Sequence, residues 1–199
     1  MATNQQIVEH LDFVDDLQVV SKRKQKVIDI VEYNPEWPAQ FATIKGRIIT
    51  ALGERALSVE HVGSTSVPGL PAKDTIDVDL VVEDPRDEDS YIPALEKAGF
   101  QFLHREPQWH QHRFLGLDQP YANIHVFGPD AGELVRHKLF REWLINNDED
   151  LQKYVEVKRV AAKAARENGE GVQEYNYRKQ PVIHEILDRV FRAHGLTKD

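Results

Sequence analysis

Two aspartates, Asp77 and Asp79, stand two residues apart in the run 75–82, where Ile76, Val78, Leu80 and Val82 occupy the alternate positions. Alternation of period two predicts a strand and sends both carboxylates to one face. Like charges side by side repel in a low dielectric, so a cation, lysines or water at a cleft must compensate them. Hard ions such as Mg²⁺ take one or two carboxylates plus substrate phosphates. An Asp-x-Asp strand taken alone is also what a wet sheet end looks like. Upstream lies a loop of glycine and hydroxyls, Gly63, Ser64, Thr65 and Ser66. Small residues let a backbone approach a phosphate, and hydroxyls and N–H groups can bond its oxygens. A phosphate cradle next to a carboxylate metal site is what metal-assisted phosphoryl or nucleotidyl transfer requires. Both aspartates are expected to open onto one cleft.

Histidines and cations extend the set. His61 precedes the glycine loop, His110 and His112 are read on one face of a strand, and His125 lies on a later one. A His-x-His pair with a further histidine could bind Zn²⁺ or Fe²⁺, but hydrogen bonding or general-base work is the simpler use of imidazole. Lys73, Arg113, Arg136, His137, Arg141, Lys158 and Lys179 could surround a cleft with positive charge. Tyr154 with Lys158, and Tyr175 with Lys179, are i,i+4 pairs that put a ring and an amine on one helix face.

The elements that must position these groups follow from periodicity. Strands are predicted at 27–33, 56–62, 75–82, 100–104, 110–115 and 122–127. Trp37, Phe41, Ile44, Ile48 and Leu52 form one helical stripe, with Asn34-Pro35 as its capping signal and Gly53 at its end. A short helix is expected over 91–98. Helices are predicted at 132–146, 148–167 and 173–194, with Pro181 kinking the last or marking its start. Ile7, Leu11, Val14 and Leu17 recur at helical spacing before the basic cluster Lys22, Arg23, Lys24 and Lys26. The expected organisation is an N-terminal extension (1–26), an α/β core (27–130) and a C-terminal helical section (131–199) packed on the core.

Composition narrows the function. The 199 residues include no cysteine, which removes thiol catalysis, thiolate metal sites and disulfides. With 25 basic and 33 acidic side chains the formal net charge is -8, which argues against a broad electrostatic grip on nucleic acid. No apolar run approaches the ~20 residues of a membrane span, and the N-terminus lacks a secretory signal. A cytoplasmic protein acting on a small molecule is the expectation.

The pattern Gly63-Ser64 followed by Asp77-Val78-Asp79 resembles the signature of the nucleotidyltransferase fold of the DNA polymerase β superfamily. More closely, the chain resembles the GrpB family within that fold. The resemblance is carried by 33–37 (YNPEW), 60–70 (EHVGSTSVPGL), Ala72-Lys73, Ile76-Asp77, 123–126 (NIHV), 140–144 (FREWL), Tyr154, Lys158, Tyr175 and Lys179. It covers about residues 27–194. It implies a nucleotidyltransferase-like mixed sheet with flanking helices. It also implies a group-transfer enzyme that moves a nucleotidyl or phosphoryl group to a small molecule, with Asp77 and Asp79 holding Mg²⁺. Relatives in this fold place a third carboxylate on a later strand, where this chain has Asn123 and His125. A two-metal mechanism is therefore in question, and His125 becomes the nearest candidate for a general base.

Some fungal GrpB-like proteins are reported to make arginine-containing cyclodipeptides from aminoacyl-tRNAs, so acyl transfer is an alternative. There the acidic pair would recognise an ammonium or guanidinium group, and Arg113, Arg141 and Lys158 would touch RNA. A catalytically idle ligand-binding module is the third reading.

Overall fold

Strand β3 (Ile76–Val81) is the pivot of the molecule, because it separates an apolar face from a polar one. A computed structural model describes residues 2–10 and 16–197. Six strands form one mixed sheet: β1 (Gln18–Val19), β2 (Ser58–Val62), β3, β4 (Gln101–Glu106), β5 (His112–Asp118) and β6 (Tyr121–Phe127). Their order is β1-β4-β5-β6-β3-β2. All neighbours are antiparallel except β3 and β6, which run parallel.

Ile76, Val78 and Leu80 point to one side of the sheet and are fully buried with Ile124 and Val126 of β6. Helices α2 (Trp37–Leu52) and α3 (Ile92–Lys97) close that core with Trp37, Ile44, Ile48 and Leu95. The other face carries the polar side chains of β3, β5 and β6. It meets the C-terminal helices α4 (Gly132–Asn146), α5 (Asp148–Asn168) and α6 (Val172–Ala193). These helices pack on one another around Leu144, Val155, Ile186, Leu187, Val190 and Phe191. α6 continues through Pro181. No described helix is long and apolar enough to cross a membrane.

Three local readings are corrected. Residues 27–33 form no strand, only a single bridge between Val31 and Ala72. Ile28 is instead buried against Ala161, Ala162, Ala165 and Tyr175, so α5 and α6 cover this segment in place of a strand ladder. α2 starts at Trp37 with Pro38 in its first turn, and the Asn34 side chain accepts from Glu36 N at 3.0 Å, bracing the turn before it. His110 is not on a strand: it and Gln111 take φ of 53° and 55° in the turn that precedes β5. The N-terminal extension docks on the body, as the helical spacing around Ile7 allows. Helix α1 (Asn4–Val8) buries Ile7 in the C-terminal helical core, and a Cβ on Gly132 would collide with the Gln6 carbonyl. Arg136 donates to the carbonyls of Ile7 and Glu9 at 2.8 and 3.0 Å. Leu11 and Val14 lie outside the described residues.

Candidate functional site

Pairing of β3 with β6 sets Asp77 opposite Asn123 and Asp79 opposite His125, so these four side chains share the polar face. Asn123 Nδ2 donates to Asp77 Oδ1 at 2.9 Å. Asn123 is oriented in turn by Arg23, which donates to its Oδ1 at 2.6 Å and to the Ala122 carbonyl at 2.7 Å. On the other side of Asp77 stands Gly63, with φ of 67°. A Cβ there would lie 2.5 Å from Asp77 Oδ2, so the left-handed backbone and the close approach both demand glycine.

The loop after Gly63 divides its hydroxyls. Ser66 Oγ donates to the Gly63 carbonyl at 2.6 Å, and Thr65 Oγ1 donates to the Thr75 carbonyl at 3.2 Å. Both side chains are buried and bonded within the loop, and neither lines the cleft. Gly63 and Ser64 do face the cleft, and Ser64 Oγ is 3.4 Å from Tyr154 Oη. Arg141 donates Nε to the Ser66 carbonyl at 3.2 Å and also lines the cleft.

The cleft encloses about 350 Å³ between the sheet and the C-terminal helices. Gly63, Ser64, Arg141, Tyr154 and Lys179 form one part of its wall. Phe140, Leu144, Ile183 and Leu187 supply apolar surface, and Glu106, Trp109, Glu133 and His137 are among the polar and aromatic groups that also line it. Neither aspartate is part of that wall; Asp77 is half-buried, and Asp79 departs from the expectation of two open carboxylates. Asp79 is only 2% exposed, and His137 Nδ1 donates to its Oδ2 at 2.8 Å. Burial alone would lower the His137 pKa. The charge and hydrogen bond of Asp79, with Glu133 behind, outweigh it and raise the imidazole to about 9. His137 is therefore a cation at neutral pH. The sequence reading had placed it only among possible positive charges. Its signal was the i,i+4 spacing from Glu133, which lies 3.6 Å from His137 Nε2.

Three lysines gather beside Asp77. Lys158 is 1% exposed and donates to the Pro71 carbonyl at 2.6 Å. Its Nζ is 5.0 Å from the centre of the Tyr154 ring. Lys73 and Lys179 flank the Tyr175 ring at 5.0 and 4.3 Å. Burial lowers the pKa of all three. Lys73 and Lys179 depress Lys158 further, Lys73 depresses Lys179 to about 7, and Asp77 pulls each back up. None of the three forms an ion pair with a carboxylate among the described residues.

Two other candidates lie apart. Arg113 projects from the opposite face of β5, where its Nε donates to Glu88 Oε1 at 2.6 Å; it is 6% exposed and does not reach the cleft. His61 pairs with Val78 on the apolar side, stacks on Phe41 at 4.7 Å and lies 3.0 Å from the Thr65 hydroxyl. His125 remains on the site face, and its Nδ1 lies 3.1 Å from His112 Nε2. Burial lowers its pKa, against the pull of Asp77 and Asp79.

The donor set fits one hard cation. Asp79 Oδ1 is buried without a hydrogen-bond partner, and Asp77 is its neighbour on the same face. It does not fit two. At the third position Asn123 turns its NH₂ toward Asp77 and gives its oxygen to Arg23, so that amide cannot ligate a metal.

The chain matches the family model described as GrpB protein over residues 27–189. The chain belongs to the GrpB family. A UPF0157 protein of Halalkalibacterium halodurans is 44% identical over 162 residues, 81% of this chain and 82% of its own length. The crystal structure of the conserved protein GrpB from Enterococcus faecalis superposes with a TM-score of 0.69 at 25% identity, covering 84% of this chain and 99% of that one. A shorter stretch of 79 residues is 46% identical to a dephospho-CoA kinase of Mycolicibacterium paratuberculosis, covering 38% of this chain and 19% of that protein. The GrpB match begins at residue 27, so Arg23, which orients Asn123 from outside it, was not among the residues that carried the resemblance.

Proposed function

We propose that this GrpB protein is a transferase that moves a nucleotidyl or phosphoryl group from a nucleoside triphosphate to a small acceptor. The observation that carries this reading is the trio Lys73, Lys158 and Lys179, three neighbouring amines without a carboxylate ion pair among the described residues, of which Lys179 lines the cleft. Burial and crowding favour the neutral amines, and a bound polyphosphate would restore their charge. Arg141 and the Gly63-Ser64 loop extend the anion-binding wall, and the apolar surface around Phe140, Leu144 and Ile183 suits a base or another uncharged part of the substrate.

In this reading Lys179 and Ser64 hold the donor phosphates, with Lys73 and Lys158 adding positive charge behind them. An acceptor oxygen attacks a donor phosphorus, the bond to the leaving phosphate breaks, and the lysines neutralise the charge that departs. With Nδ1–H given to His112, neutral His125 keeps a lone pair on Nε2 and takes the acceptor proton. His137, charged and bound to Asp79, offsets the carboxylate from the cleft side. A single divalent cation on Asp77 and Asp79 would supply Lewis-acid polarisation of the phosphates when bound.

The test is incubation with nucleoside triphosphates and Mg²⁺, with and without charged tRNA, followed by mass spectrometry. A nucleotidylated or phosphorylated acceptor that disappears in Asp77→Asn and Lys158→Met supports the reading. A cyclodipeptide made from charged tRNA, or no product under any condition, overturns it.

A further inference from the structure

A second cluster of chemistry-bearing side chains lies on the same sheet face, and the proposed transfer leaves it unused. His104 and Glu106 stand two apart on β4, and His112 is directly across from Glu106 on β5, so pleating sends all three to one side. One potential ligand atom from each lies within 4.8 Å of the others. Glu106 Oε2 is the point of convergence, 2.7 Å from His112 Nδ1 and 3.4 Å from His104 Nε2.

We propose that His104, Glu106 and His112 form a binding site for a divalent transition metal of the zinc class, separate from the Asp77–Asp79 pair. Two imidazoles and one carboxylate are the three-ligand set that leaves zinc an open position. Nitrogen donors favour such a metal over Mg²⁺. Ligands about 2.1 Å from a tetrahedral zinc stand about 3.4 Å apart, so small side-chain shifts bring this triangle to size. The rings are held before any metal arrives. His112 is 1% exposed, with Trp109 edge-on at 4.6 Å, and His104 stacks on Phe114 at 4.6 Å. His112 gives its second nitrogen to His125, the outer-shell contact that orients a ligating imidazole. His104 and Glu106 are 23% and 22% exposed, and Glu106 lines the cleft, so an entry path exists.

Metal binding has a structural signature. With Glu106 as acceptor, His112 carries its proton on Nδ1 and accepts at Nε2 from His125. A metal on Nδ1 moves that proton to Nε2, and His125 Nδ1 becomes the acceptor.

The test uses the untagged full chain, titrated with Co²⁺ by visible absorption and then with Zn²⁺ by calorimetry. One saturable Co²⁺ band, displaced by one equivalent of Zn²⁺, is expected. His125→Gln should weaken Zn²⁺ binding by about 10- to 100-fold, and His104→Gln and Glu106→Gln, which each remove a ligand, by more than that. Asp77→Asn should leave it unchanged, and ¹⁵N spectra should show the His125 tautomer change on Zn²⁺ addition. His104 is partly exposed, so its variant tests the site even where a change at buried His112 prevents folding. Absence of a saturable band overturns the proposal, as does a band that survives both His104→Gln and Glu106→Gln or is lost in Asp77→Asn.

Discussion

His137 and Asp79 form a 2.8 Å ion pair that joins a C-terminal helix to the central strand of the sheet. The aspartate side chain is 3% exposed and the histidine 26%. The pair therefore closes the carboxylate off from the cleft while leaving the imidazolium partly wet. Removing one partner of a buried pair leaves an uncompensated charge, at about 3–5 kcal/mol when burial is complete. With His137 partly solvated, His137→Ala is expected to cost less, about 1–3 kcal/mol. Mg²⁺ should restore part of that loss by taking the cation's place beside Asp79. Urea unfolding with and without Mg²⁺ measures both effects.

Gly63→Ala should impair the site more than it impairs the fold. The backbone of Gly63, φ 67° and ψ -170°, is one that essentially only glycine adopts and costs another residue about 1–3 kcal/mol, and the new Cβ would press on Asp77 Oδ2. Relief comes by displacing the carboxylate that the proposed chemistry needs. The expected outcome is a modest fall in melting temperature with loss of most transferase activity, checked by calorimetry and product assay on the same preparation.

Lys179 gives a pH dependence with a definite sign. Burial and Lys73 lower its folded pKa to about 7, against the pull of Asp77, whereas in the unfolded chain it titrates at the ordinary lysine value. Between those two values the unfolded state binds more protons, so this group's contribution to stability rises with pH across that window. Lys158 and Lys73, also lowered, act in the same direction. His137, raised to about 9, acts in the opposite one. The informative quantity is therefore the difference between wild type and Lys179→Met. Wild type should gain on the variant as pH rises above 7, measured by urea midpoints between pH 6 and about 9. The same variant should bind inorganic triphosphate about 10-fold more weakly at pH 6, the loss of one charge-assisted hydrogen bond.

Deleting residues 1–26 should destabilise the protein although the family match starts after them. The truncation exposes the pocket of Ile7, whose burial is worth about 2 kcal/mol, and strands Arg136 without two carbonyl acceptors. It also removes Arg23 from Asn123. Thermal melts of the truncated chain, compared with Arg23→Ala in the full chain, separate loss of docking from loss of the Arg23–Asn123–Asp77 relay.

What the sequence determined by itself was what local periodicity can encode. The alternation around Asp77 and Asp79 put both on one face of a strand, and the stripe from Trp37 to Leu52 is the buried side of α2. The motif residues also announced the family and the mixed α/β architecture. Partner choice was decided only in three dimensions. Asp79 meets His137 across 58 positions, Asn123 meets Arg23 across 100, and Lys158 meets the Pro71 carbonyl across 87. Arg113 and Thr65 show the same limit from the other side: each has the chemistry of a binding residue, but the sheet turns one toward Glu88 and the loop turns the other toward Thr75. The convergence of His104, Glu106 and His112 depends on the register between β4 and β5. Side-chain direction follows the local backbone, which short-range sequence dictates. The identity of the group facing it follows from how distant elements bury their apolar faces, and that packing is settled by the whole chain.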